Sequence, residues 1–106
     1  MISTETIQQA VRRVVVATRP TKVTLFGSYA RVEADKKSDL DLMVIEPHVE
    51  NVGEEMTRVR AAVGDVGAGV DVLVYPEEEF ERRSQVPGTV LYWARQEGQV
   101  LYDASA

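Results

Sequence analysis

Three aspartates and one glycine–serine step are the residues of this chain whose types and spacing could do chemistry: Asp39, Asp41, Asp71 and Gly27-Ser28. Asp39 and Asp41 stand two apart in the run Asp39-Leu40-Asp41-Leu42-Met43-Val44-Ile45. Side chains two apart on a strand point the same way, so these carboxylates share a face, with Cα atoms roughly 6.5 Å apart. Their mutual repulsion favours a cation between them. Hard divalent ions such as Mg²⁺ take oxygens from one or two carboxylates and complete their shells with water and phosphate oxygens. By itself an Asp-x-Asp pair more often marks a solvated strand end.

Gly27-Ser28 follows the run Val23-Thr24-Leu25-Phe26. Glycine lets backbone approach an anion closely, a serine hydroxyl adds a donor, and amides at a helix start face a phosphate. The same dipeptide also serves plain strand-to-helix turns. Asp71 lies inside Val70-Asp71-Val72-Leu73-Val74. An ionised side chain in so aliphatic a strand is costly unless it has a salt-bridge partner or a metal. Strand register could bring all three acids to one edge.

Positioning these groups takes a small sheet with helices on it. Residues 4–18 place Ile7, Ala10, Val11, Val14 and Val15 at helical spacing, with Ser3 or Thr4 as cap and Pro20 as stop. Residues 22–26 read as a strand, and residues 28–34 as a brief helix before the polar loop 35–38. The Asp-x-Asp strand spans 39–45 and stops at Pro47. A helix over 51–64 puts Met56, Val59 and Val63 inward, with Asn51 and Glu54 as a capping pair. Residues 70–74 form a third strand, and Pro76 opens a helix whose Glu77, Glu78 and Glu79 suit its N-terminal dipole. A last helix over 89–97 closes at Gly98, and Val100-Leu101-Tyr102 adds an edge strand. The fold class is α+β.

The 106 residues, 44% hydrophobic and 27% charged, suit one globular domain over 1–106. Without cysteine there is no disulfide and no thiolate-bound metal. The longest apolar run near the start, Val14-Val15-Val16-Ala17, is too short for a signal peptide or membrane span, so the cytoplasm is the expected address. A net charge of −5 repels a phosphate backbone, and stable independent binding to nucleic acid is not expected.

Gly27-Ser28, ten intervening residues and Asp39-Leu40-Asp41 resemble the signature of the nucleotidyltransferase superfamily that includes DNA polymerase beta. Leu25-Phe26-Gly27-Ser28-Tyr29-Ala30-Arg31, Ser38-Asp39-Leu40-Asp41-Leu42 and Val70-Asp71-Val72 are similar to its minimal branch, MNT, often encoded beside HEPN-domain toxins. The resemblance implies a mixed sheet with core strands in order 1-2-3. Asp39 and Asp41 would hold two Mg²⁺, one bound to the triphosphate. Asp71 would ligate the second ion and help activate the acceptor hydroxyl. Gly27 and Ser28 would hold the terminal phosphates, and Arg31 or Lys37 would neutralise charge on departing pyrophosphate. The family usually has glycine where this chain has Val32, and a β-branched residue resists positive φ. The segment after Arg31 is therefore expected to stay helical.

The reading is an enzyme that moves a nucleoside monophosphate, AMP from ATP or another triphosphate, to an acceptor hydroxyl. The acceptor is expected on a HEPN-type toxin or another protein in trans; self-association is left open. The competing reading is a binding module, an antitoxin that masks its partner or a degenerate nucleotide-binding domain. Val86, Val90, Leu91, Tyr92 and Trp93 offer a partner surface, although Trp93 could equally fill the core. His48 reads as a surface residue and Glu77 to Glu79 as a solvated helix start.

Overall fold

The computed structural model describes residues 1–106. Its first helix, α1, spans Thr4–Thr18, and the Ser3 hydroxyl caps it by accepting from the Thr6 amide at 3.1 Å. The predicted stripe is the buried one: Ile7, Ala10, Val11 and Val14. Arg19 ends the helix at φ 48°, its N–H donating to the Val15 carbonyl, and Pro20 follows. Strand β1 is Lys22–Phe26 and β2 is Leu40–Glu46. Helix α2, Val52–Val63, starts where the Asn51 side chain accepts from the Glu54 amide at 2.9 Å. Strand β3, Val70–Pro76, leads into α3, Glu77–Arg83. Helix α4 is Val90–Glu97, capped by the Thr89 hydroxyl on the Tyr92 amide, and β4 is Gln99–Asp103.

The sheet runs β3-β2-β1-β4. Strand β1 is antiparallel to both β2 and β4, while β2 and β3 are parallel, as a crossover through α2 requires. The expected order of the first three strands holds, and β4 is added outside β1. Strand alternation then divides the core. Leu40, Leu42 and Val44 face α1 and α2, with Val23, Leu25, Val72 and Val74 beside them. Met43 and Ile45 face α3 and α4, meeting Phe80, Leu91 and Ala94. Because β2 is covered on both sides, each of its buried aliphatics contributes about 1.5–3 kcal/mol of apolar burial. The two helices on the first face cap one another. Arg13 donates from Nε and Nη2 to the Ala62 and Val63 carbonyls at 3.1 and 2.7 Å, and Arg58 donates to the Ala17 carbonyl. These cations satisfy carbonyls that the helix ends leave orphaned. No helix is long and apolar enough to cross a membrane.

One local expectation is overturned. Instead of a helix over 28–34, the chain makes a single 3₁₀ turn, Gly27–Tyr29, and Val32 adopts φ 58°. The Ala30 and Arg31 amides both donate to the Gly27 carbonyl, and the Glu33 amide reaches back to the Ser28 carbonyl at 2.9 Å. That last bond closes a Schellman-type turn with Val32 in its left-handed position. Contacts on either side hold the turn against the preference of valine. Tyr29 Oη accepts from the Ile2 amide at 2.9 Å, Gln99 Nε2 donates to the Ala30 carbonyl at 3.1 Å, and the Ala30 side chain is buried.

Candidate active site

Strand β1 ends where β2 and β3 begin, and register sets one row across the three: Phe26 opposite Asp41, and Asp41 opposite Asp71. Neighbouring strands are roughly 4.8 Å apart, so in-register side chains on one face meet. Asp41 and Asp71 share the face of Met43 and Ile45, at the end of the sheet that α3 and α4 leave open, with their carboxyls close enough for Asp71 to disfavour the ionised form of Asp41. Asp39 lies one residue before β2, tied down where the Leu40 amide donates to the Gly69 carbonyl at 2.9 Å.

Two glycines make room for these carboxylates. Gly27, at φ 73°, lies under Asp41, and a Cβ there would overlap the Asp41 carboxylate. Gly69 lies under Asp39, and a Cβ there would overlap Asp39 Oδ1 and Cγ. With Asp39 turned toward Gly69, no three carboxylate or imidazole groups stand close enough, as placed, to hold one ion.

Burial first, then the charge and hydrogen bond of Asp71 and the charge of Asp39, raise the Asp41 pKa to about 6, against the lowering effect of Arg31. Beyond burial, the neighbouring charges of Asp71 and Asp39 add negative potential at Asp41, and a hard divalent cation, which takes carboxylate oxygens as ligands, would relieve that part. The expectation that Asp71 is burdened by burial is corrected: β3 is the edge strand, and Asp71 is exposed at its start.

The remaining predicted residues divide. The Ser28 hydroxyl is half-buried beside Gly27 and makes no hydrogen bond within the chain, and the turn's own bonds begin only at the Ala30 amide. Arg31 is held by Glu33 at 3.2 Å and Glu97 at 3.9 Å, and its charge reaches Asp41. Lys37 is exposed in the loop, where its amide donates to Asp35 Oδ1, and it joins no ion pair.

Beside Gly27 opens a cavity of about 600 Å³ lined by Phe26, Arg31, Val90, Trp93 and Glu97. From sequence, Phe26 and Glu97 have no expected role, Arg31 is expected at pyrophosphate, and Val90 and Trp93 on a partner surface. The signal was present: Val90, Trp93 and Glu97 recur at helical spacing on one side of α4. Trp93 does not fill the core, since Leu91 and Ala94 do that and the indole is 51% exposed.

The family model for the nucleotidyltransferase domain matches residues 5–95. The chain belongs to that family. Domains of this kind use a nucleoside triphosphate and a divalent metal, and the adjoining carboxylates of Asp41 and Asp71 are oxygen donors of the type such an ion takes. Among solved structures, this nucleotidyltransferase is similar to a Sulfolobus solfataricus protein provisionally named a nucleotidyltransferase. Identity is 29% and the TM-score 0.59, over 92% of this chain and 86% of that one. It is also similar in fold to a chain of a toxin–antitoxin crystallised with AMP-PNP. There the identity is 18% and the TM-score 0.58, over 92% of this chain and 73% of the other. No curated protein matches it.

Proposed function

We propose that this nucleotidyltransferase moves AMP from ATP onto a hydroxyl of a protein supplied in trans, as a cytoplasmic antitoxin acting on a HEPN-type toxin. The observation that carries the reading is the pairing of Asp41 with Asp71 beside Gly27-Ser28 at one open end of the sheet. A fold-mate crystallised as a toxin–antitoxin with AMP-PNP supports both the triphosphate ligand and the protein partner.

Asp39, Asp41 and Asp71 would hold two Mg²⁺ ions, whose charge would stabilise an in-line displacement at the α-phosphorus. Asp39 joins by rotating away from Gly69. The Ser28 hydroxyl and the amides of the Gly27 turn hold the terminal phosphates, and Arg31, with Lys37 from the loop, meets the charge of pyrophosphate. The acceptor oxygen forms its bond to the α-phosphorus as the bond to pyrophosphate breaks, and exposed Asp71 takes the hydroxyl proton.

The test is Asp71→Ala. It leaves Asp39 and Asp41 in place, so Mg²⁺-dependent ATP affinity should stay within about threefold of wild type, while transfer of labelled AMP to the partner should fall by at least about 100-fold. Transfer at the wild-type rate would make Asp71 structural. A wild-type chain that binds ATP and its partner but labels nothing would give the function to the masking module instead.

A further inference from the structure

We propose that the cavity between Phe26 and α4 is the nucleoside pocket of this nucleotidyltransferase, with the base stacked on the indole of Trp93. The inference rests on the triphosphate reading above and adds where the remainder of the nucleotide goes.

Position is the first argument. Gly27 and Arg31 border the cavity and also belong to the proposed phosphate cradle, and Phe26 is paired directly with Asp41. A triphosphate whose α-phosphorus stands at Asp41 must place its sugar and base next to that row. On the face shared by Asp41, Met43 and Ile45, the cavity beside α4 is the space that adjoins it.

Chemistry is the second. The walls contributed by Phe26, Val90 and Trp93 are apolar and aromatic, while Arg31 and Glu97 face each other at 3.9 Å on the rim. Apolar walls with a few polar groups at the edge, in a volume of several hundred Å³, are what small-molecule sites share. The Glu97 carboxylate can accept from a ribose hydroxyl or an exocyclic amine. Arg31 stays oriented by Glu33 when Glu97 is engaged elsewhere.

The third argument is the state of Trp93. Leu91 and Ala94 supply the core contacts of α4, so the indole is not needed for folding and remains half exposed. It is nevertheless oriented: Tyr92 meets it edge to face, with ring centroids 5.2 Å apart and planes at 87°. A flat, oriented, solvent-facing ring beside a phosphate site is a stacking platform. Stacking accepts any base, since every base has a π-face. The pocket therefore adds affinity for the nucleoside without strong choice among bases.

Trp93 is the only tryptophan, so its emission reports on this cavity. With Mg²⁺ present, ATP and inorganic tripolyphosphate are titrated by fluorescence and by calorimetry. Both should bind, and ATP alone should quench Trp93. Trp93→Leu should weaken ATP by about 10-fold or more and leave tripolyphosphate within about twofold, and Trp93→Phe should recover part of the loss. Far-UV circular dichroism checks that α4 persists in both variants. If ATP and tripolyphosphate bind equally and the emission does not change, the pocket assignment fails and the triphosphate site stands. If neither binds, both fail.

Discussion

Glu46 closes β2 at the end opposite Asp41, and it is 5% exposed with Oε2 lacking any hydrogen-bond partner. Burial first, then a hydrogen bond with Glu55 and the charge of that residue, push its pKa to about 8 against the pull of Arg58. The folded chain therefore keeps a proton that the unfolded chain releases above its ordinary value of 4.5. Stability from this group is fully present below that pH and is lost as pH rises toward about 8. Urea midpoints measured at pH 5 and pH 8 should fall in the wild type and fall much less in Glu46→Gln, which should be the more stable of the two at pH 8. Equal slopes would remove Glu46 as the cause. Nothing in Ile45-Glu46-Pro47 announces this, because burial of the last residue of a strand depends on what α2 brings over it. The spacing of Asp39 and Asp41 was visible without tertiary information, but Asp39 lies just before β2 and turns toward Gly69, which a period of two does not foretell. That Asp71 stands beside Asp41 was legible only as an option, because the register of a parallel pair is set across the whole α2 crossover.

Among the elements, the starts of α1 and α2 were readable at Ser3 or Thr4 and at Asn51, where short polar side chains satisfy amides that the helix cannot, and the structure gives Thr89 the same role for α4. The turn after Gly27 departs from the local preference of its residues because Tyr29, Ala30 and Gln99 hold the segment from outside. Val32 carries the cost. A non-glycine residue in the left-handed region is disfavoured by about 1–2 kcal/mol, and its side chain is 87% exposed, so removing it loses no packing. Val32→Gly should raise stability by a net of about 0.5–1 kcal/mol after the larger unfolded-state entropy of glycine, seen as a higher thermal midpoint. An unchanged midpoint would show that the strain is relieved elsewhere. The exposed face of α4 was ambiguous for another reason: Val90, Leu91, Trp93 and Ala94 are all apolar, and only the position of the sheet shows which two turn inward.

At the scale of the molecule, the sheet is completed by its most distant pairing, residues 22–25 of β1 with residues 99–103 of β4, and the register slips between Val23 and Thr24. Strand β4 is an edge with Gln99 and Val100 exposed, whereas the β2 positions from Leu42 to Glu46 are buried. Edges with few buried contacts open locally at a small fraction of the global unfolding free energy. Opening β4 has a remote result, because Gln99 goes with it and releases the Ala30 carbonyl inside the turn that follows Gly27. The two events share one equilibrium, so a ligand that needs the turn closed must also hold the strand down. Backbone amides of Val100 to Tyr102 should exchange with deuterium more slowly when Mg²⁺ and ATP are added, although no part of the nucleotide is placed against them. Gln99→Ala should weaken that protection. In this small fold the fourth strand acts as a latch on the turn after Gly27: Gln99 fastens that turn from outside, and the end of the strand that carries it is the exposed one.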